Sequence, residues 1–177
     1  PLHAVTQRPM AMYHSWDSQN AWLRQIHSHN YLFVNPITAK AAGVNDGGWL
    51  WVESQWGQVR CMARYSEAVE PGTVWTWNAI GKSDGAWRLA PGADESRKGF
   101  LLNHLISEEL PRAINGAQDN GTISNSDPIT GQAGWYDVRV RIRPARPDEP
   151  AQTYPQATTP PSPGAASTPN TIAYIAS

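Results

Sequence analysis

The 177-residue chain carries 14 basic and 15 acidic side chains with 40% apolar residues, enough for one sizeable core but no net field to draw in nucleic acid or an anionic membrane surface. Its single cysteine, Cys61, excludes an internal disulfide framework, a cysteine-rich zinc site and a self-contained iron–sulfur cluster. No apolar stretch approaches the roughly 20 residues of a membrane helix, and the sequence opens without a charged leader or an initiating methionine, as a piece of something longer would.

Along the chain, His3 to Thr6 reads as a strand broken by Gln7-Arg8-Pro9, because proline cannot continue a central ladder. A polar, irregular run follows from Met10 to Asn20. Asp17 or Ser18 is then expected to cap a short helix reaching Ile26, with Trp22 and Ile26 on its buried face. Tyr31 to Val34 is extended, and Asn35-Pro36 opens a short helix, Ile37 to Ala42, stopped by Gly43. Asp46-Gly47-Gly48 turns into strand Trp49 to Ser54, which Trp56-Gly57 reverses into strand Gln58 to Tyr65. Glu70-Pro71-Gly72 is a further turn, after which Thr73 to Trp77 alternates as a strand ending at Asn78.

Residues 81–97 read as a glycine-rich loop, Lys98 to Glu109 as a helix ended by Pro111, and Asn115 to Pro128 as a long polar loop. Trp135 to Arg143 alternates as a closing strand. From 144 to 177 the chain turns rich in proline, alanine, serine and threonine and is expected to be a disordered tail. Short strands, short helices and long crossovers predict an α+β, mainly β, domain over residues 1–143, built around a mostly antiparallel barrel. There is no glycine-rich phosphate loop of the Rossmann or Walker kind.

Four polar patches fall at strand ends or in loops: Thr6-Gln7-Arg8, His14 to Asn20, Trp75 to Asn78, and Asn125 to Gln132. Gathered at one barrel rim they would offer an arginine for a phosphate, amides for a heterocycle edge, and Asp127 for a guanine-like donor pair. Each patch taken alone reads first as a cap or a turn. His14 has no second ligand at metal spacing, His27 and His29 read as surface residues, and Cys61 as an inert buried thiol within a strand. No nucleophile–base pair is legible, which favours binding over catalysis by this segment alone.

The run Val5-Thr6-Gln7-Arg8-Pro9-Met10-Ala11-Met12-Tyr13-His14-Ser15-Trp16-Asp17-Ser18-Gln19-Asn20 resembles the opening of the molybdopterin-dinucleotide-binding domain of dimethyl sulfoxide reductase-type enzymes. Asn35-Pro36 to Gly43-Val44, Val52-Glu53-Ser54 with Trp56-Gly57-Gln58-Val59, Val69-Glu70-Pro71-Gly72, and Asn125-Ser126-Asp127-Pro128 with Thr130-Gly131-Gln132 follow in the family's order. Asp46-Gly47-Gly48 departs slightly from its Gly-Asp-like turn. The resemblance covers about residues 1 to 143.

It implies an aspartate decarboxylase-like double-psi β-barrel and, as ligand, bis(molybdopterin guanine dinucleotide) holding molybdenum or tungsten. It maps cofactor contacts onto Thr6, Gln7, Arg8, His14, Ser15, Ser18, Gln19 and Asn20, then onto Trp77, Asn78, Asn103, Asp127, Gly131, Gln132 and Tyr136. The metal's own protein ligand and the cysteines of a 4Fe-4S cluster would belong to upstream domains of the same polypeptide. Its partners would be an iron–sulfur subunit plus a membrane-anchor subunit, putting the enzyme at a membrane on its cytoplasmic or periplasmic side.

The wording of the first motif, with Trp75-Thr76-Trp77-Asn78 and Gly131-Gln132-Ala133-Gly134-Trp135-Tyr136, is most similar to complexes that oxidise or reduce sulfur oxyanions, sulfite dehydrogenases among them. The rival reading of the nine tryptophans is a non-catalytic carbohydrate-binding β-domain, which requires exposed, coplanar indoles. A plain structural domain, whose loops only close turns, is the third.

Overall fold

The computed structural model describes residues 1–13, 20–78, 80–81, 90, 92–106, 109–114, 117–124, 126–127, 129–132 and 138–151, the segments 109–114 and 117–124 by their backbone. Its strands are β1 (Leu2–Gln7), β2 (Tyr31–Val34), β3 (Trp49–Glu53), β4 (Gln58–Tyr65), β5 (Thr73–Trp77), β6 (Glu109–Ile114), β7 (Ala117–Ser124) and β8 (Val138–Pro144). Two short helices, α1 (Ala21–Ile26) and α2 (Pro36–Ala41), complete the regular elements beside 3-10 turns at Asp94–Arg97 and Leu102–Leu105. Six strands close into a barrel in the order β1-β5-β2-β4-β3-β8, and β6 and β7 form a separate hairpin. Four of the six barrel pairings are antiparallel; β1 with β5 and β2 with β4 are parallel. The expected double-psi barrel with short helices is thus observed.

Alternation puts one face of each strand inside. Ala4, Leu32, Val34, Leu50, Val52, Val59, Cys61, Ala63, Val74 and Val140 fill the interior. Burial pushes the Cys61 thiol up, so it stays a protonated apolar filler at neutral pH.

The register separates two rims. At one, β2 hands over to α2, whose cap Asn35 accepts from Ile37 N–H (2.9 Å) and donates to Val69 O (2.7 Å). Here Asp46 accepts from Tyr65 N–H (2.7 Å), Tyr65 Oη donates to Val44 O (2.7 Å), and Glu70 closes its turn by accepting from Gly72 N–H (2.6 Å). Gly43 and Gly47 both take φ +72°, a left-handed backbone that suits glycine. These connections are short and internally satisfied. At the opposite rim lie the ends of β1, β3 and β5 and the starts of β2, β4 and β8. The long connections 8–30, 78–108 and 125–137 leave or re-enter the barrel there, and Phe100, Leu102 and Leu105 are buried against its interior.

On the outside, Trp51 is 4% exposed because the chain after β8 folds back over it. Glu149 accepts from Trp51 Nε1 (2.9 Å) and pairs with Arg143 (2.7 Å), while Glu53 on β3 binds Arg141 (2.6 Å) and Arg143 (2.8 Å) on β8. Of the expected tail, residues 145–151 belong to this arrangement and 152–177 lie outside the described residues.

Several expectations need correcting. The helix at Lys98 to Glu109 is absent: Leu102–Leu105 is a single 3-10 turn, and Glu109 already begins β6, which runs through Pro111. Leucines spaced three and four apart imitate a helix there, although Leu102 and Leu105 are buried in the rim of the barrel. The long loop at Asn115 to Pro128 contains β7. The cap of α1 is Asn20, not Asp17 or Ser18, which lie outside the described residues. Trp22 and Ile26 are 77% and 65% exposed, because α1 turns Leu23 and Arg24 inward instead.

The β3–β8 seam is titratable. Burial alone would raise the Glu53 carboxyl, but hydrogen bonds from Arg143 and Arg141 outweigh it and hold the group below its usual range. A carboxylate held low stabilises the fold above its ordinary range and loses that contribution as pH falls through its depressed value. Arg141 is 80% exposed, so screening limits the seam to about 1 kcal/mol. Glu53→Gln should lower the Tm at neutral pH, with variant and wild type converging in acid; a gap that persists unchanged in acid would contradict this assignment.

Candidate functional site

Parallel pairing sets Gln7 beside Trp77, and Asn78 N–H donates to Gln7 O (2.7 Å), so the first and third polar patches meet. Thr6, Gln7 and Arg8 are exposed, with Pro9 buried behind them. Asn78 Oδ1 is buried and has no hydrogen-bond partner among the described residues. A buried acceptor left unpaired is costly unless something supplies a donor.

The residue that organises this corner escaped the reading of the sequence. Asn30, 3% exposed just before β2, directs Nδ2 at three main-chain carbonyls: Trp77 O (2.9 Å), Ile80 O (3.1 Å) and Phe100 O (3.1 Å). Its Oδ1 accepts from Thr76 Oγ1 (2.9 Å), and its N–H donates to Lys98 O (2.7 Å). Phe100 N–H in turn donates to Ile80 O (3.1 Å). Its only sequence signal was a polar residue directly before an apolar strand.

Beside this hub lies a cleft of about 30 Å³ lined by Met12, Arg24, His27, Ile80, Glu95 and Lys98 among others. Glu95 bridges Arg24 and Lys98, joining α1 to the 94–98 segment. His27 packs on Trp77 with ring centroids 5.4 Å apart, and His29 on Tyr31 at 5.9 Å, so both are half-buried rather than surface residues. Desolvation, then the nearby Lys98, lowers the His29 pKa.

The remaining candidates divide. Asn20 uses Oδ1 to cap α1, accepting from Trp22 N–H (3.0 Å) and Leu23 N–H (3.4 Å). Asn103 is exposed on the 3-10 turn that Ser54 fastens to the β3–β4 hairpin through Leu105 O (2.7 Å), on the side of the barrel opposite β5 in strand order. Asp127 organises its own loop. Its Oδ1 accepts from Thr130 N–H (2.7 Å), Thr130 Oγ1 (3.0 Å) and Ile129 N–H (3.0 Å), bonds that lower its pKa, those from Thr130 foremost. Gly131 takes φ +70° and donates to Asp127 O (2.9 Å), while Gln132 is exposed at the end of the turn. His14, Ser15, Ser18, Gln19 and Tyr136 lie outside the described residues.

The carbohydrate-binding rival needs a platform of exposed, coplanar indoles. Of the described tryptophans Trp22 alone is exposed, and Trp75 and Trp77 meet edge to face at 81°. Trp75 instead stacks on Phe33, centroids 3.9 Å and planes 7° apart, on the outside of the barrel.

Comparison with known proteins adds three findings. The family model of the molydopterin dinucleotide binding domain matches residues 2–123. A sulfite dehydrogenase subunit of Allochromatium vinosum is 69% identical over 156 residues, covering 88% of this chain and 16% of that protein; dopamine dehydroxylase of Eggerthella lenta is 28% identical over 154 residues, covering 84% and 13%. The chain therefore spans about a sixth or less of the curated relatives it matches. Acetylene hydratase from Pelobacter acetylenicus superposes with a TM-score of 0.57 at 17% identity, over 82% of this chain and 18% of that one, a likeness of fold alone.

The close approach of the two segments around Asn30 is testable. A Cβ on Gly99 would stand 2.4 Å from Gly81 Cα and 2.5 Å from Ile80 O, both main-chain atoms. Gly99→Ala must therefore prise the segments apart, at about 1–3 kcal/mol. Hydrogen exchange should quicken at the amides of residues 80–81 and 98–100 while the barrel strands keep their protection; unchanged exchange at those amides would contradict the packing.

Proposed function

Because the chain belongs to the molydopterin dinucleotide binding domain family, we propose that it forms the C-terminal cofactor-binding part of the catalytic subunit of a molybdenum oxidoreductase whose substrate is a sulfur oxyanion. One observation carries the reading: within the matched residues 2–123, Gln7-Arg8 and Trp77-Asn78 lie side by side at one rim, with a buried amide oxygen awaiting a donor. Support for the substrate class comes from the sulfite dehydrogenase of A. vinosum.

The residues fit the group. A guanine dinucleotide needs a cation for phosphate and neutral donors and acceptors for the base and ribose. Arg8 would meet phosphate, Thr6, Gln7 and Gln132 would bond the polar edges, and Asn78 Oδ1 would accept from the ligand. The family match ends at residue 123, so Asp127, Gly131, Gln132 and Tyr136 enter the proposed site on the resemblance of their loop. Asp127 would act there mainly by shaping the turn that presents Gln132.

When bound, the cofactor supplies two-electron chemistry at its metal, and the protein's part is to hold and orient it. A cleft of about 30 Å³ holds a water rather than a dinucleotide. The exposed rim of Thr6 to Arg8 is, in this reading, one wall of a site that the rest of a longer chain completes. In this reading that chain carries the paired guanine-dinucleotide form, with molybdenum or tungsten in its place, and a 4Fe-4S cluster upstream. It works with an iron–sulfur subunit plus a membrane-anchor subunit.

Arg8→Ala, Asn78→Leu and Gln132→Ala in the full-length protein each remove a proposed contact. Each should lower molybdenum per folded chain, up to roughly tenfold, the scale of one lost hydrogen bond. Wild-type metal content in all three would overturn the site.

A further inference from the structure

We infer that Asn30 is the positioning residue of the cofactor rim, a step that rests on the cofactor-binding reading above. Asn30 is too deeply buried to touch a ligand, at 3% exposure, so any influence must pass through other groups. Those groups are main-chain carbonyls from two segments: the end of β5 with the residues just after it, and the returning segment at Phe100. Two amide hydrogens are shared among these three acceptors, and Thr76 Oγ1 fixes which end of the amide faces them by donating to Oδ1. Thr76 is itself fully buried and sits in register with Thr6 on β1.

The carbonyl of Trp77 that Asn30 holds belongs to the peptide leading into Asn78. Asn78 N–H ties β5 to Gln7, and Asn78 Oδ1 is the unpartnered buried acceptor. Asn30 thus sets the orientation of the peptide on which the waiting acceptor is carried. It also fixes the spacing between that peptide and the 98–100 segment, where Lys98 and Gly99 line the neighbouring cleft.

A purely structural role would give Asn30 the same consequences as any buried, hydrogen-bonded asparagine, and the molecule contains a matched control. Asn35, 8% exposed, likewise donates Nδ2 to a main-chain carbonyl, Val69 O, and accepts on Oδ1, but at the opposite rim. Asn30→Ala, Thr76→Val and Asn35→Ala would be made in the full-length protein. Thermal unfolding would be followed alongside the rate at which folded protein loses acid-releasable guanine nucleotide.

Asn30→Ala should lose nucleotide about tenfold faster than wild type, and Thr76→Val, which keeps the shape of the side chain, about threefold faster. Asn35→Ala should lower the Tm comparably yet lose nucleotide at the wild-type rate. Loss rates that simply follow Tm across the three variants would overturn the inference and leave the cofactor reading standing. If Asn30→Ala does not accumulate as folded protein, Thr76→Val decides, and a wild-type loss rate there overturns it. Folded wild-type protein with no guanine nucleotide would instead remove the cofactor reading and this inference with it.

Discussion

Closing six strands into a barrel leaves no free edge, so each strand end opens onto one of two rims. In this chain the two rims are unlike. One is joined by α2 and by tight turns whose polar groups satisfy one another, as Asn35, Asp46, Tyr65 and Glu70 do. The other collects the long connections, and with them Thr6, Gln7, Arg8 and Asn78, an arginine, amides and a hydroxyl of the kinds that can hold an extended polar ligand. The candidate site lies where the strand register releases the chain for longest.

Long connections at a rim carry main-chain groups that lose water when apolar side chains such as Phe100 and Leu105 pack beneath them. Asn30 resolves this for three carbonyls at once, and the Arg24–Glu95–Lys98 bridge closes the outer side of the same region. Asn78 Oδ1 differs: with Arg60 Nε on β4 it is one of two buried side-chain polar atoms among the described residues that lack a partner. An unpaired acceptor at the junction of β1 and β5 is what a rim prepared for a ligand would retain.

Much of the fold was legible because strand alternation and turn chemistry are local. Val52 and Val59 facing inward around Trp56-Gly57 announced the β3–β4 hairpin, and Asn35-Pro36 the start of α2. Neighbour order was not legible: alternation tells which side chains face inward, but nothing local says that β1 lies parallel to β5 or that β8 closes the barrel between β1 and β3. The β6–β7 hairpin was missed although Asn115-Gly116 is a strong hairpin signal, because the surrounding polar residues read as loop. In the candidate site, Thr6 to Arg8 and Trp77-Asn78 were found as polar residues at strand ends. Asn30 was not, since its role depends on carbonyls that are 47 to 70 residues distant in sequence.

Whether this rim holds a guanine dinucleotide is decided by acid-extracting the natural full-length chain, purified from its source, and measuring the guanine nucleotide released. GMP should appear in about twofold molar amount over protein, as a paired cofactor carrying the chemistry requires. Folded, metal-loaded protein that releases no GMP would contradict it.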